Sequence, residues 1–536
     1  MRVSRERKPK GTRRRLPLAE AVAAGGAASW LSWTAPAPAR GGLGLMLLAG
    51  TLAVSAGLMV RGWWARRPFD LPAPYWRMTT LARWCWREQL FLGWASPFRW
   101  VFAGSEDSSG TVGPPRVNKT GGLGVAQILL WGGSLVSVAP KPEMLRLTVR
   151  RRQRLARRFG GKILVYAPHE RGLVEGVRGI RFSPSSSTDP TEIGLRVESW
   201  MAASRTAQGV SDHEHFRAGA GALLRGCFLA SAHHPSRPGD FRLVRRWLAT
   251  RNLAEPIGIL RSLNSELGDQ WAEELEGIQN SPAEKEREGF FSAALTTISA
   301  TSNPNVLGST ARTDLDFEAF LRSRSTLYIP IETEHQRAVA PLISMLIDTL
   351  VRTAYRMHRE GRLPARLLLS LDDMANCAPL PGLESVISQG GGQGVNVAWS
   401  LQSLAQLREH WGVEAAEAIW SATRAKEIFG GLGDEQGLEK ISSAIGDERV
   451  ITPGESSTND GPRGSKHVSW RRVLAPSQLR EIPNRWVVLL YLNRPAAAVR
   501  VPLAVKTFLR HEMRLWTPAQ AHPLHVMGNE DEEEVA

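Results

Sequence analysis

The spacing of apolar and polar residues divides this chain into stretches of different character. Residues 41–60 (GGLGLMLLAGTLAVSAGLMV) are twenty positions without a charge, bounded by Arg40 and Arg61. That is the length a bilayer asks of a helix, so a transmembrane span is expected there. Residues 21–39, richer in Ala and Gly and ending in a Pro-broken APAPA, are a candidate second span. Basic clusters stand on both sides, RVSRERKPKGTRRR before and RGWWARR after, and a two-helix hairpin keeps both on the cytoplasmic side. A signal peptide fits poorly, because the apolar core is too long and too far from the start.

Beyond a polar turn at Gly104–Gly110 the pattern becomes one of alternating short apolar runs and helical-period segments. The expected elements are a helix over Leu123–Trp131, a strand over Ser134–Val138, a basic helix over Glu143–Phe159 and a strand over Ile163–Tyr166. This alternation predicts parallel βαβ units. From about residue 190 to 310 no strand signal occurs and helical patterns predominate, which predicts an all-helical insertion. Strands return at Ser325–Pro330, Leu367–Leu371, Val395–Leu401, Glu427–Phe429, Trp486–Asn493 and Val499–Leu503, with a long helix over Ala340–His358. The segment Pro453–Lys466 (PGESSTNDGPRGSK) reads as a mobile loop. The expected division is 1–20, a basic N-terminus; 21–60, the membrane region; and 61–105, a Trp/Arg-rich juxtamembrane segment. Next come 106–189 and 311–510, two halves of a nucleotide-binding domain around the helical 190–310, and 511–536, an acidic tail.

Composition changes this picture in three places. The chain has 67 Lys and Arg against 52 Asp and Glu, a net charge of +15, which favours an anionic partner, nucleic acid or anionic lipid. Its three cysteines, Cys85, Cys227 and Cys377, lack ligand spacing, so neither a disulfide framework nor a zinc site is expected. Nine of the 19 tryptophans lie between residues 30 and 100: Trp30, Trp33, Trp63, Trp64, Trp76, Trp84, Trp86, Trp94 and Trp100. Interleaved with arginines, they read as an interfacial belt at the lipid headgroups, the rival reading being a grip on single-stranded nucleic acid. The basic run RLTVRRRQRLARR in Glu143–Phe159 is either a solvated face or a nucleic-acid track. The end of the chain carries Glu530-Asp531-Glu532-Glu533-Glu534, too acidic to fold alone, and reads as a disordered tail or a docking peptide.

The candidate chemistry lies in two places. The run Leu367–Leu371 stops at Asp372 and Asp373, and Gln402 ends the next strand, so two neighbouring strands deliver two acids and an amide to the edge where open α/β sheets bind ligands. Gly113-Pro-Pro-Arg-Val-Asn118-Lys119-Thr120 has the shape of a phosphate-binding loop, GxxxxGK[ST], with Asn118 in the place of the second glycine. Asn tolerates the left-handed backbone that glycine supplies there. The strand ahead of it, Ser108–Val112, contains few strand formers, so a Pro/Gly-rich surface loop is the competing reading.

Taken together, LLLSLDDMANCAPLPGL at 367–383, GGGQGVNVAWSLQSLAQL at 390–407, GPPRVNKT at 113–120, the Lys141-Pro142-Glu143 turn, FGGLGD at 429–434 and RVLAPSQLREIP at 472–483 resemble the conjugative coupling proteins of type IV secretion systems, the TraG/TraD-like family. The resemblance covers roughly residues 20 to 505. It implies a RecA-like P-loop NTPase fold, α/β with a mainly parallel sheet, a helical insertion and an N-terminal transmembrane anchor in the bacterial inner membrane, the catalytic domain being cytoplasmic. It implies ATP and Mg2+ as cofactors, a homohexamer, and as partners single-stranded DNA with a relaxase-type nucleoprotein and the proteins of a secretion channel. The residues it assigns are Gly113, Asn118, Lys119 and Thr120 for the phosphates, Thr120 and Asp372 for magnesium, and Asp373 and Gln402 for catalysis. Arg424 is a candidate finger acting on a neighbouring subunit. Asp373 stands where the family has Glu, one methylene longer, and such a shift of about 1 Å costs on the order of a hundredfold in rate. Three functions are therefore expected in competition: an ATP-dependent DNA translocase, a subunit that binds nucleotide and scarcely hydrolyses it, and a protein-secretion ATPase.

Overall fold

A computed structural model describes residues 69–509 except 70, 73–77, 81–85, 97–98, 170–172, 175–176, 205–212, 333, 378–379, 459–460, 505–506 and 508. The spans expected at 21–39 and 41–60, the basic N-terminus, Trp30, Trp33, Trp63, Trp64, Trp76, Trp84, Cys85 and the tail 511–536 lie outside the described residues.

Apolar runs free of Gly and Pro become the centre of a mixed α/β sheet. Seven of its strands are parallel, in the spatial order Ala425–Ile428 (β12), Ser109–Val112 (β4), Val395–Leu401 (β11), Leu367–Leu371 (β10), Ser134–Ala139 (β5), Thr326–Pro330 (β9) and Ile163–Val165 (β6). Both faces are covered, and every residue of β10 and β11 is buried, as a parallel strand packed on both sides requires. Beyond β12 the sheet continues with antiparallel strands: Trp486–Tyr491 (β15), Ala497–Arg500 (β16), Phe91–Ser96 (β2), Arg99–Phe102 (β3) and Met78–Thr80 (β1). Two separate pairs complete the described strands, Leu173–Val174 (β7) with Val177–Arg178 (β8), and Asp447–Thr458 (β13) with Gly461–Arg472 (β14).

The unpromising strand β4 is central in the sheet because its polar groups find partners there. Ser109 Oγ accepts from Gln127 Nε2 at 3.1 Å, Thr111 Oγ1 donates to Glu427 Oε2 at 3.3 Å, and Ser108 Oγ accepts from Val397 N at 3.3 Å. Buried hydroxyls so paired escape the cost of desolvation. Gly110 leaves room for the Trp399 ring, which a Cβ there would strike. Trp399 Nε1 in turn donates to Thr423 Oγ1 at 3.0 Å.

Between β8 and β9 the described residues form helices only, from Pro190–Ala203 through Phe317–Arg322. Asp189, Asp240, Ser265, Asn303 and Asp316 cap five of them by accepting a backbone N–H of the first turn, the role these side chains serve best. Trp200 lies against Phe228 and Phe241, with ring centroids 6.4 and 5.7 Å away. The long helix Gln336–Arg359 joins this layer to the sheet, placing Leu342, Leu346 and Leu350 in one continuous core with Leu369 and Val397. Among the described residues, Ala338–Arg359 is long and apolar enough to cross a membrane, but it is mostly enclosed by the protein.

Two expectations are corrected. Trp94 and Trp100 do not face lipid headgroups: both are buried in the β2–β3 hairpin, edge to face at 6.1 Å and packed around Phe91. Period-2 spacing and aromatic content suit a strand as well as a membrane interface, and a buried sheet face has taken these rings. Within the segment Pro453–Lys466, expected as a loop, the described residues Pro453–Thr458 and Gly461–Lys466 belong to an antiparallel ribbon whose register runs from Asp447 opposite Arg472 to Thr458 opposite Gly461. Gly, Pro and Ser depress strand propensity, but backbone pairing along a two-stranded ribbon does not need side chains.

Candidate functional site

β4, β10 and β11 run parallel and end together, so the loop after Val112, the acids after Leu371 and the amide after Leu401 share one edge. The first of these begins at Gly113, whose N–H donates to Leu401 O at 3.2 Å. A Cβ at Gly113 would lie 2.6 Å from Phe429 Cβ, so the loop can turn here only without a side chain. It ends at Asn118, in the left-handed conformation (φ 73°, ψ 27°), and its carbonyl accepts from Gly122 N at 2.9 Å. Asn118 thus adopts the backbone for which Asn is best suited after glycine. A π-helical turn, Lys119–Gly124, leads into the helix Val125–Leu130. Turns of this kind cluster at functional sites.

Lys119 curls back over the loop, its ammonium donating to Gly113 O and, at 3.3 Å, to Pro114 O. Burial lowers its pKa, against the opposing charges of Asp372 and Asp373. Thr120 Oγ1 donates to Asp372 Oδ2 at 2.8 Å, tying the helix start to the end of β10. Ser400, near the end of β11, donates to Asp372 Oδ1 at 2.7 Å and accepts from Asp373 N at 3.0 Å. Burial raises the Asp372 pKa, and the Ser400 and Thr120 hydrogen bonds and the Lys119 charge offset it only in part.

Asp373 has φ 51°, in the left-handed region. Asp is among the residues enriched there, whereas a longer, less locally bonded acid gains nothing from it. Its carboxylate accepts from Asn376 Nδ2 at 2.9 Å and from Gln402 Nε2 at 3.5 Å. One edge therefore holds an ammonium, two hydroxyls, two carboxylates and two amides. The structure does not bring Arg424 to it. Arg424 precedes β12 at the opposite edge, about 13 Å away along a four-residue strand. Its guanidinium pairs with Asp107 Oδ1 at 3.1 Å.

Ser400 was absent from the sequence reading. A signal was available: Ser370-x-Asp372 and Ser400-x-Gln402 are period-2 polar pairs on adjacent strands and so share a face. The donor set suits a nucleotide and a hard cation. Thr120 Oγ1 and Asp372 Oδ2 are the oxygen ligands magnesium takes, and the lysine and the N–H groups of a helix start suit phosphate.

A model of the type IV secretory system conjugative DNA transfer family matches residues 85–503. The conjugal transfer protein TraG of Agrobacterium fabrum (strain C58) is 23% identical over 373 residues, 67% of this chain and 55% of that protein. A probable conjugal transfer protein TraG of Sinorhizobium fredii is 26% identical over 399 residues, 70% of this chain and 59% of its own length. The chain thus spans a little over half the length of these curated relatives. Among solved structures, the bacterial conjugative coupling protein TrwBdeltaN70 in its unbound form superposes with a TM-score of 0.57 at 19% identity, covering 74% of this chain and 85% of that one. The plasmid coupling protein TrwB in complex with ADP and Mg2+ gives 0.54 at 18% identity, covering 74% and 86%. At such identity the likeness shows a shared fold.

Proposed function

This chain belongs to the type IV secretory system conjugative DNA transfer family, and from that premise we propose that it is a membrane-anchored ATPase that drives single-stranded DNA, with its bound protein, towards a secretion channel. The reading includes a homohexamer at the bacterial inner membrane. The observation that carries it is the link from Thr120 through Asp372 to Ser400, which joins the loop carrying Lys119 to the ends of two neighbouring strands. A structural contact alone does not call for an ammonium bonded to neutral carbonyls beside two carboxylates.

In this reading Lys119 leaves the Gly113 and Pro114 carbonyls for the outer phosphates, and the N–H groups from Asn118 onward hold the inner ones. Thr120 and Asp372 would hold magnesium, which when bound neutralises charge on the phosphate oxygens. Asp373, held by Asn376 and Gln402, accepts a proton from an attacking water, and the Gln402 amide orients that water without adding charge. Arg424 is half exposed at the far edge and serves only a site on another subunit. One observation favours a second reading, a receptor subunit that scarcely hydrolyses ATP. The Asp373 carboxylate is short and already tied to Asn376, so its reach towards water is limited.

ATP turnover by the full chain in detergent, with and without single-stranded DNA, separates these readings. DNA-stimulated turnover that Lys119→Ala lowers by about a hundredfold or more, with unchanged melting, is expected. Unchanged turnover and unchanged mating in Lys119→Ala would overturn the motor. Nucleotide binding without turnover in the wild type would leave the receptor.

A further inference from the structure

The turn Phe429–Asp434 (FGGLGD) supplies no group to the ligand edge, yet it touches both halves of it. It begins against the phosphate loop. Phe429 N donates to Val112 O at 2.9 Å, and Phe429 Cβ lies 2.6 Å from where a Cβ at Gly113 would stand. Two residues on, Gly431 has φ 86°, and a Cβ there would lie 3.1 Å from Pro114 Cγ. Lys119 donates to the carbonyls of Gly113 and Pro114, so the turn packs on the stretch of loop that the ammonium occupies.

The turn ends at Asp434, whose side chain is only 11% exposed and divides its two oxygens between two helices. Oδ1 accepts from Gly437 N at 3.0 Å and caps the helix Glu435–Ile445. Oδ2 accepts from Ala405 N, also at 3.0 Å, in the first turn of the helix Leu404–Ala422. That second helix lacks a cap of its own. Its N-cap residue, Ser403, makes no side-chain cap bond, and the first N–H groups of a helix have no partner within it. Arg408, one turn further along, faces Asp434 Oδ1 at 3.7 Å. Gly437 makes the double use possible. A Cβ there would lie 2.6 Å from Asp434 Oδ2 and 2.9 Å from its Cγ, so a side chain at 437 would push the carboxylate from its seat. Glycine in a helix costs about 1 kcal/mol against alanine, and the room it leaves for the carboxylate gives it a reason to be here.

The helix that Asp434 caps from outside begins just after Gln402. Gln402 lies three residues before Ala405, and its own N–H donates to Gln406 Oε1 at 2.9 Å. Its backbone thus hangs between Leu401, the last residue of β11, and a first turn that Asp434 holds. From there the amide reaches Asp373 at 3.5 Å, a loose contact that a small displacement of the helix start would break or tighten.

We propose that Asp434 is a positioning residue that holds Gln402 at the ligand edge in step with the phosphate loop. The proposal rests on the reading of that edge as an ATPase site. Asp434 acts through Ala405 N and the first turn of the helix, not by touching nucleotide. A carboxylate suits the task because it accepts from two N–H groups at once. The same turn bears on Gly113 and Pro114, so the amide that orients the water and the loop that carries Lys119 share one support.

Asp434→Asn tests this selectively. Asn caps helices as well as Asp does, and its single oxygen can keep the Gly437 bond, but an NH2 group then stands where Oδ2 accepted from Ala405. With the full chain in detergent and single-stranded DNA, kcat for ATP should fall by about tenfold, with KM within about twofold and melting close to the wild type, since misplacing a catalytic group by about 1 Å costs up to about a hundredfold. Asp434→Ala, which frees both helix starts, should lose at least as much turnover and some melting as well. Gly437→Ala keeps the carboxylate but crowds it, and should also lower kcat although alanine is the better helix former. In a Gln402→Ala background, Asp434→Asn should lower kcat by less than about twofold, because residues that act through one another are not additive. Equal losses in the two backgrounds would overturn the proposal.

Deuterium exchange on the same proteins separates this tie from the ATPase reading. Asp434→Asn and Asp434→Ala should both speed exchange at the amides of residues 404–406. Unchanged exchange there in both variants would overturn the proposal whatever the turnover. A wild type that binds ATP without turning it over would overturn the motor, and the exchange result would then decide the tie by itself.

Discussion

The two edges of the parallel sheet use the same residue types to opposite ends. At the edge where β4, β11 and β12 begin, Asp107 is almost fully buried and accepts from Gly104 N at 2.7 Å, from the Tyr491 hydroxyl and from Arg424. Asn396 beside it donates to Ser105 O and Asp107 O, each at 2.9 Å, and accepts from Arg366 Nε at 2.7 Å. The buried Asp107 carboxylate and Asn396 amide there are taken up in closing loops of the fold. At the edge where the strands end, Lys119 is bonded to two neutral carbonyls while two carboxylates stand near it, and Gln402 reaches Asp373 only at 3.5 Å. Saturated contacts hold a fold, whereas groups that would gain from a different partner mark a place for a ligand.

That contrast breaks most visibly at Asp107. Asp107→Ala strips Tyr491 and Gly104 of a buried acceptor, a loss of about 3 kcal/mol, so the melting midpoint should fall by several degrees while nucleotide affinity stays within about twofold. Lost affinity with unchanged melting would exchange the roles of the two edges. Next, Asp373→Asn keeps the left-handed backbone and removes only the base. Turnover should fall on the order of a hundredfold with nucleotide affinity intact, and a turnover equal to wild type would take Asp373 out of the chemistry. The smallest effect belongs to Asn118→Gly. Because Asn118 already has φ 73°, glycine there should change affinity by less than about threefold. A tenfold gain would mean that the Asn side chain obstructs the loop.

The legible parts of the molecule are those that rest on uninterrupted apolar runs. Leu367–Leu371 and Val395–Leu401 read directly as buried parallel strands because burial on both faces leaves no place for a polar residue. The acids after β10 and the amide after β11 followed from that placement, and the structure brings Thr120 and Asp372 within a hydrogen bond. β4 was harder, since its polar residues are buried through partners on Gln127, Glu427 and β11 that no local pattern displays. The β2–β3 hairpin was obscured by aromatic and basic residues that serve a bilayer edge and a sheet core equally well. Ser400 was passed over because a lone serine in an apolar strand acquires a role only when its neighbour across the sheet is known. Arg424 was singled out by its place before a glycine turn, a signal of sequence distance that says nothing about which edge of the sheet it occupies.

Protonation sharpens the account of the ligand edge. A metal ligand must be ionised, and burial raises the Asp372 pKa above the usual aspartate value. On acidification the proton therefore displaces the cation at a higher pH than it would from an ordinary surface aspartate. Magnesium-dependent binding should weaken with falling pH earlier than magnesium-independent binding does.

The most direct test of the site is the magnesium dependence of nucleotide binding, followed with a fluorescent ATP analogue on the full chain at neutral pH, in the wild type and in Asp372→Asn. The wild type should bind at least about tenfold more tightly with magnesium than with chelator, and Asp372→Asn should bind equally in both while melting as the wild type does. A magnesium enhancement of the same size in both proteins would contradict the assignment of Thr120 and Asp372 as the metal side of a nucleotide site.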